Sequence, residues 1–245
     1  MNAPDPKTFY DNVMPKKVRS GYEDARWHAN SLLSAQYRMM TDALNRFVVP
    51  QVQLVRRVLE VGPGPGTWTK LLLKASSAAR YTLVDISQEM LAQARVGLKD
   101  YANVQFIERD FLKFESSEPF DFFFSSRAIE YMPDKRATVK KITSLLLPGG
   151  RGVIVTKMPK PFFDWMRGRG SRALHGAQIG PATLVGLLRS NGLIIEEIRT
   201  TTATVPFIGS ASINGLVYRF LRHIPLFFPL TIFAESYLIT FRKPL

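Results

Sequence analysis

The chain has 245 residues, of which 46% are hydrophobic and 22% are charged, and its formal net charge is +13. These values are typical of a globular domain and exclude a disordered, collagen-like or coiled-coil chain. The sequence contains no cysteine, which excludes disulfides, cysteine-ligated metals and a thiol nucleophile.

The first 50 residues are mixed and polar with a helical pattern, and strands and helices alternate after them. Short apolar runs predict seven strands, at 57–61, 81–85, 104–107, 120–124, 152–156, 193–198 and 237–241. Helices are predicted around 71–73, after a Ser87 cap, over 133–147 and over 183–190. The alternation predicts an α/β fold with a Rossmann-like, doubly wound, mostly parallel seven-stranded sheet. We assign 1–50 to an N-terminal helical lid and 51–245 to the main domain.

A glycine-rich turn directly follows the first predicted strand. Glu60 precedes Gly62, Gly64 and Gly66 in the run EVGPGPG. This G-x-G-x-G spacing differs from the G-x-G-x-x-G of nicotinamide and flavin sites, and the lysine of a P-loop is missing. Glycines allow the backbone to approach a ligand closely, and doubly wound sheets bind ligands beyond the carboxyl ends of their strands. The turn therefore predicts a ligand site at this edge of the sheet.

Acidic or small polar residues also end the next three strands. A carboxylate at Asp85 can accept hydrogen bonds from both hydroxyls of a ribose. Asp110 can accept from an adenine amine, and Phe111 can stack on the ring. Ser125 and Ser126 end the fourth strand, beside the polar tail of such a ligand. A turn, a cap or a loop explains each feature alone, but their coincidence at four strand ends predicts a nucleoside-containing ligand.

In these motifs the sequence resembles the class I S-adenosylmethionine-dependent methyltransferases that act on small molecules. The resemblance rests on VLEVGPGPGT at 58–67, LVDIS at 83–87, ERDF at 108–111 and LPGG at 147–150. It implies S-adenosylmethionine as the cofactor, with the methionine near the glycine turn, the ribose on Asp85, and the adenine near Ile86. It also implies a lid tyrosine that closes over the cofactor. The implied cofactor-binding residues are Tyr10, Tyr22, Glu60, Gly62, Gly64, Gly66, Asp85, Ile86, Asp110, Phe111, Ser125 and Ser126.

Methyl transfer from a sulfonium is an in-line displacement, for which the protein supplies position and a shaped cavity. A hydroxyl acceptor is helped by a base, whereas a neutral amine needs none. The candidate bases are Glu130 beyond the fourth strand, His28 in the lid, and His175 after the fifth strand. Each has an alternative role as a packing or surface residue. No metal is predicted, because 125–127 offers no cluster of oxygen ligands.

Two segments interleave aromatic and basic side chains, residues 160–172 and a hydrophobic insert at about 207–235. This composition is suited to binding an anionic membrane surface or to forming a hydrophobic substrate tunnel with a positively charged entrance. A cap on the core or a subunit interface explains the insert equally well. Nucleic acid is disfavoured as a partner, because SSRA at 125–128 replaces the Asn/Asp-Pro-Pro-Tyr motif of base-amine methylases.

The sequence therefore predicts a methyltransferase that acts on a small hydrophobic or lipid-linked acceptor, with oxygen favoured as the accepting atom. An RNA or protein acceptor stays open because residues 151–245 hold 12 basic and 4 acidic residues. A non-catalytic, cofactor-binding partner subunit stays open because no base is unambiguous. We expect a cytoplasmic location, with peripheral binding at the inner membrane face as an alternative, since residues 1–20 lack the apolar core of a signal peptide.

Overall fold

The computed structural model describes residues 5–14, 22–159, 178–226 and 229–245. Its seven strands are β1 Arg57–Val61, β2 Arg80–Asp85, β3 Val104–Glu108, β4 Phe120–Ser126, β5 Leu146–Lys157, β6 Ile194–Ala203 and β7 Ala234–Arg242. The longer helices of this part of the chain are α1 Ser31–Phe47, α2 Thr67–Ala75, α3 Gln88–Gly97, α4 Lys135–Leu145, α5 Pro181–Ser190 and α6 Ala211–Leu221. Short helical turns lie at Pro6–Thr8, Phe9–Val13, Asp24–His28, Val49–Val52, Phe111–Lys113, Ile129–Tyr131 and Leu230–Ile232.

The strands form one sheet in the order β3-β2-β1-β4-β5-β7-β6. Strands β1 to β5 pair in parallel, and β7 lies antiparallel between β5 and β6. The prediction of a doubly wound, mostly parallel sheet is confirmed, and β7 makes the sheet mixed. The strand order reverses between β1 and β4, and a switch point of this kind opens a crevice at the carboxyl ends of the strands.

Two predicted boundaries moved because of pairing with distant strands. Strand β5 starts at Leu146 rather than at 152, since Leu146 pairs with Phe120 before a register shift. Gly149 lies just after the predicted end of the helix at 147, and in the structure it is part of β5. It has a φ of +75° and donates its N–H to the carbonyl of Lys243, which makes this part of the strand irregular. Strand β6 extends to Ala203, beyond the predicted 198, because its added residues pair with β7.

The two faces of the sheet carry separate hydrophobic cores. Phe123 of β4 packs in the core that contains α4 and α5, whereas Phe122 and Phe124 pack in the core that contains α1 and α2. Neighbouring side chains of a strand point to opposite faces, so a strand covered on both faces is apolar throughout. Because Met40 and Leu44 of α1 lie in the second core, this part of the predicted lid belongs to the packed body of the domain.

The insert before β7 packs against α1. Tyr218 of α6 donates its hydroxyl to Asp42 of α1 at 3.0 Å, and Arg222 forms an ion pair with the same carboxylate at 3.4 Å. The outer side of α6 exposes Leu216 and Phe220 by about two-thirds. Residues 227–228 of the insert and the whole basic segment 160–172 lie outside the described residues. Within the described ranges, no helix has the length and apolarity that a membrane span requires.

Candidate active site

A cleft of about 390 Å³ lies at the carboxyl ends of the parallel strands. The turn after β1 lines it, together with the residues that follow β2, β3 and β4. The N-terminal segment adds Tyr10, Tyr22 and Arg26 to the lining. The volume is within the range of pockets that bind cofactors and other small ligands.

The three glycines of the turn all have positive φ, but they serve different purposes. A Cβ at Gly62 would lie 2.2 Å from the Cβ of Ala128, so the turn packs directly on the loop after β4. A Cβ at Gly64 would meet no atom within 4 Å, so this position leaves open space in the cleft. Gly66 is not among the residues that line the cleft, and a Cβ there would lie 3.1 Å from Leu98, so its predicted cofactor contact stays a prediction.

Asp85 fixes the turn to the end of β2. Its carboxylate accepts hydrogen bonds from Gly64 N at 3.2 Å and from Ser87 N at 3.0 Å. Burial raises the pKa of Asp85 to about 6, although these backbone donors favour the ionised form. Each carboxylate oxygen has a second lone pair, so Asp85 can accept further hydrogen bonds from a ligand in the cleft.

The residues predicted to surround an adenine line the side of the cleft next to β2 and β3. The backbone carbonyl of Ile86 accepts from Lys7 Nζ at 3.0 Å, and its side chain lines the cleft. Asp110 accepts from Leu112 N at 3.0 Å, which holds the short turn that carries Phe111. Phe111 is mostly buried against Phe123, and the rest of the ring borders the cleft.

The side chains of the two serines at the end of β4 point in opposite directions, as those of neighbouring strand residues do. Ser126 lines the cleft, and its buried hydroxyl has no hydrogen-bond partner among the described residues. Since buried polar groups are normally paired, this hydroxyl is available to a ligand. Ser125 is fully buried and donates to the carbonyl of Val61 at 2.9 Å. The prediction that Ser125 touches the ligand is therefore wrong, because it joins β4 to β1.

The N-terminal segment is held over the cleft by specific contacts. Asp11 accepts hydrogen bonds from the Ser87 hydroxyl at 2.6 Å and from Glu89 N at 3.2 Å, at the start of α3. The hydroxyl of Tyr10 donates to that of Tyr131 at 2.9 Å, and the ring of Tyr22 packs edge-on against Tyr10. The two tyrosines predicted for the lid therefore both reach the cleft.

Comparison with known proteins agrees with this geometry. A family profile described as a methyltransferase domain matches residues 58–150, the part that holds the glycine turn and strands β1 to β4. This segment belongs to the methyltransferase-domain family, and the chain as a whole has the fold of the class I S-adenosylmethionine-dependent methyltransferases. S-adenosylmethionine is the cofactor of this family.

The chain is 34% identical over 110 residues to a trans-aconitate 2-methyltransferase of Escherichia coli O139:H28, a match that covers 45% of this chain and 42% of the relative. The chain spans about half the length of the curated relatives that it matches. A match of 30% identity with the enzyme of that name from Shigella flexneri covers 56% and 53% of the two chains.

Solved structures share the fold over nearly the whole chain. The N-methyltransferase NodS of Bradyrhizobium japonicum WM9, in complex with S-adenosyl-L-homocysteine, aligns with a TM-score of 0.62 and 17% identity, covering 95% of this chain and 98% of that one. Magnesium protoporphyrin IX methyltransferase of Synechocystis PCC 6803 aligns with a TM-score of 0.64 and 13% identity, covering 97% of both chains. At these identities the likeness shows the fold alone.

The cleft fits S-adenosylmethionine in three respects. The space beside Gly64 admits a ligand, the hydroxyl of Ser126 has no partner among the described residues, and the carboxylate of Asp85 lines the cleft as an acceptor of hydrogen bonds. Asp85 would hold the ribose, Phe111 would border the adenine, and Ser126 would meet the methionine end. When bound, the cofactor supplies an electrophilic methyl group on a positively charged sulfur.

Glu60 is not among the residues that line the cleft, and one of its carboxyl oxygens has no hydrogen-bond partner among the described residues, so its predicted contact with the methionine stays a prediction. It is almost completely buried on the face of β1 that packs against α2. Burial, with a smaller contribution from the charge of Asp85, raises the pKa of Glu60 to about 8. The side chain is therefore mainly protonated at pH 7.

This raised pKa predicts a pH-dependent stability. Between about pH 4.5 and pH 8 the folded chain holds a proton on Glu60 that the unfolded chain releases, so the free energy of unfolding falls as the pH rises. The limiting slope is about 1.4 kcal/mol per pH unit for one proton. Glu60→Gln removes this proton, so urea unfolding of the variant at pH 5, 6.5 and 8 should show a flatter dependence. Parallel curves for the two proteins would contradict the buried, protonated state.

Two of the three predicted bases, His28 and Glu130, do not line the cleft. His28 is exposed and packs against the ring of Tyr37 outside the cleft, so its role as a base is wrong. Glu130 is fully buried, does not line the cleft, and forms an ion pair with Arg127. It positions this arginine rather than acting on an acceptor. His175 lies outside the described residues.

The cleft residues that were not predicted as ligand contacts include Arg26, Trp27, Trp68 and Arg127. Arg127 directly follows Ser126, so extending the set of predicted contacts after the fourth strand by one residue would have included it. The other three carried no local signal. Trp27 meets Trp68 edge-on, with their centroids 5.5 Å apart, and this contact exists only because the N-terminal segment folds back over α2.

Proposed function

We propose that this methyltransferase transfers the methyl group to an oxygen atom of a small organic acceptor. The observation that carries the proposal is the closure of the cleft by the N-terminal segment, which brings Tyr10 and Tyr22 across the cofactor site. A cleft of about 390 Å³ bounded in this way suits a small molecule better than an RNA or protein chain. The protein's part is to orient the acceptor for in-line attack and to exclude water.

The chemical character of the lining favours an acceptor with an apolar part. Trp27, Leu112, Met132 and Pro133 border the cleft with side chains that cannot form strong hydrogen bonds. The curated relatives are named for trans-aconitate, a carboxylate, which supports oxygen as the accepting atom. NodS is named an N-methyltransferase, so the test must separate oxygen from nitrogen.

A narrower proposal is that the acceptor is lipid-linked. It is supported by the outer side of α6, where Leu216 and Phe220 are exposed beside Arg219. A surface that combines apolar side chains with a cation suits the interface of an anionic membrane. The competing proposals are an RNA or protein acceptor and a cofactor-binding subunit without activity, and the same experiment separates all of them.

The test supplies the purified chain with methyl-labelled S-adenosylmethionine and, in parallel, a water-soluble metabolite extract, a lipid extract, total RNA and a protein lysate freed of small molecules. We expect S-adenosylhomocysteine to form only with one of the first two extracts, with the label on an oxygen of the product. The Asp85→Ala variant provides the control, because it removes the proposed ribose contact. Label in RNA or protein alone, label on nitrogen, or no turnover in any extract would contradict the proposal.

A further inference from the structure

Two arginines line the cleft on the side away from the adenine contacts. Arg127 follows β4, whereas Asp110 follows β3, and β1 and β2 separate these two strands in the sheet. Arg26 comes from the N-terminal segment and lines the same cleft. Its guanidinium lies over the ring of Trp27, 4.0 Å from the centroid. The part of the cleft away from Asp110 is therefore bounded by two permanent cations.

This region contains more basic side chains than carboxylates that could pair with them. Arg127 is paired with Glu130, and Lys157 lies 3.6 Å from Glu235. In the part of the chain that the structure describes, no carboxylate lies within ion-pair distance of Arg26. Burial and the nearby charge of Arg127 lower the pKa of Arg26, so the two cations repel each other. An anion bound between them would relieve this repulsion.

The backbone at Arg127 is held in an unfavourable conformation that places the side chain. Its φ is +65°, which is uncommon for a residue with a Cβ. A hydrogen bond from its N–H to the carbonyl of Val155 at 2.8 Å and the ion pair with Glu130 maintain this conformation. Strained residues of this kind are concentrated at functional sites. The strain fits a role in which the position of the guanidinium matters.

Among the described residues that line the cleft, no side chain is suited to remove a proton from an acceptor. The carboxylates that line the cleft are those of Asp5, Asp85 and Asp110. Hydrogen bonds from Thr8 lower the pKa of Asp5, which makes it a weaker base. Asp85 and Asp110 follow β2 and β3 on the side of the predicted adenine contacts. Burial raises the pKa of Tyr10 and of Tyr131, which keeps both hydroxyls protonated. A site with this lining favours an acceptor that is already ionised at neutral pH, and a carboxylate has this property.

We propose that the acceptor is a carboxylic acid, which Arg26 and Arg127 bind as the carboxylate and which is methylated on that group. The proposal deepens the proposed function and rests on it. Arginine is suited to the task because its planar donors match the two oxygens of a carboxylate. An oxygen lone pair forms the new bond to the methyl carbon, and the carbon–sulfur bond breaks with its electron pair left on sulfur. The products are a methyl ester and S-adenosylhomocysteine, and no proton is transferred.

The decisive variant is Arg26→Met, because Arg26 has no ion pair within the described residues whose loss would disturb the fold. Arg127→Met is less suitable, since it would leave Glu130 buried without this cation. The matched control is Arg199→Met. Like Arg26, Arg199 lies over an aromatic ring, that of Phe47, but it is outside the cleft. It also forms an ion pair with Glu197 at 3.1 Å, so its replacement tests the general effect of removing a partly buried arginine.

The first measurement is calorimetric binding of octanoate and benzoate, each compared with octanol or benzyl alcohol, to the protein saturated with S-adenosylhomocysteine. We expect the carboxylates to bind about tenfold more tightly than the alcohols to the wild type and to Arg199→Met, and we expect Arg26→Met to lose this preference. Equal affinity for acids and alcohols in the wild type, or a preference retained in Arg26→Met, would overturn the proposal. A weakened affinity of Arg26→Met for S-adenosylhomocysteine itself would also overturn it, because the arginine would then hold the cofactor's own carboxylate.

The second measurement separates this proposal from the broader one. The labelled product of the metabolite and lipid extracts is treated with alkali, which releases volatile methanol from a methyl ester but not from an ether. Release of labelled methanol supports a carboxylate acceptor. Turnover to an alkali-stable methyl ether would overturn the carboxylate proposal and leave oxygen methylation in place, whereas a methylated amine, or absence of both cofactor binding and turnover, would overturn the proposed function itself.

Discussion

Replacement of Asp85 by alanine is expected to weaken the binding of S-adenosylhomocysteine by about a hundredfold or more. Hydrogen bonds to a charged acceptor contribute about 1.5–3 kcal/mol each, and a ribose offers two hydroxyls to this carboxylate. The variant also removes the acceptor of Gly64 N and Ser87 N, which fixes the glycine turn to the end of β2. Calorimetric titration of the purified variant measures the change.

The control for this variant is Asp121→Ala. The carboxylate of Asp121 accepts from Arg56 N at 3.1 Å and from Arg57 N at 2.8 Å, so it makes the same kind of backbone contacts as Asp85. It lies at the opposite end of the parallel strands, away from the cleft. We expect this variant to lose some thermal stability and to bind S-adenosylhomocysteine as the wild type does. Tight binding by Asp85→Ala would refute the assigned ribose site.

Gly62→Ala is expected to destabilise the fold by about 2–4 kcal/mol and to abolish cofactor binding. The added Cβ would lie 2.2 Å from the Cβ of Ala128, a distance that forces the turn and the loop after β4 apart. The φ of +69° adds about 1–2 kcal/mol for a residue with a side chain. Since both the turn and this loop line the cleft, a shift between them changes the shape of the cofactor site. Urea unfolding and calorimetry measure the two effects.

Gly186→Ala is the matched control for the substitution at Gly62. Gly186 lies inside α5, and a Cβ there would meet no atom within 4 Å. Alanine is favoured over glycine in a helix by about 0.5–1 kcal/mol, so this variant should be slightly more stable than the wild type and should bind the cofactor normally. Similar behaviour of the two alanine variants would show that the turn does not pack closely on the loop after β4.

Local patterns in the sequence determined the fold class, the cofactor and the central part of its site. The all-apolar run of β4 predicted a strand covered on both faces, because the pleat places neighbouring side chains in two different cores. The glycine turn and Asp85 were identified because positive φ and the end of a strand are properties of a few consecutive residues. The lid tyrosines Tyr10 and Tyr22 followed from the family resemblance, and the cleft contains both.

The tertiary structure alone decided which side chains face the ligand. Glu60 and Ser125 stand beside true cleft residues in sequence, yet the pleat and the packing of α2 direct them into the interior. Glu130 was chosen as a base from its distance along the chain, but burial and Arg127 give it a structural role. Arg26 and Arg127 are far apart in sequence and meet at one cleft because the N-terminal segment folds over the carboxyl ends of the strands. A contact of this kind depends on the relative position of distant segments, which no local periodicity encodes.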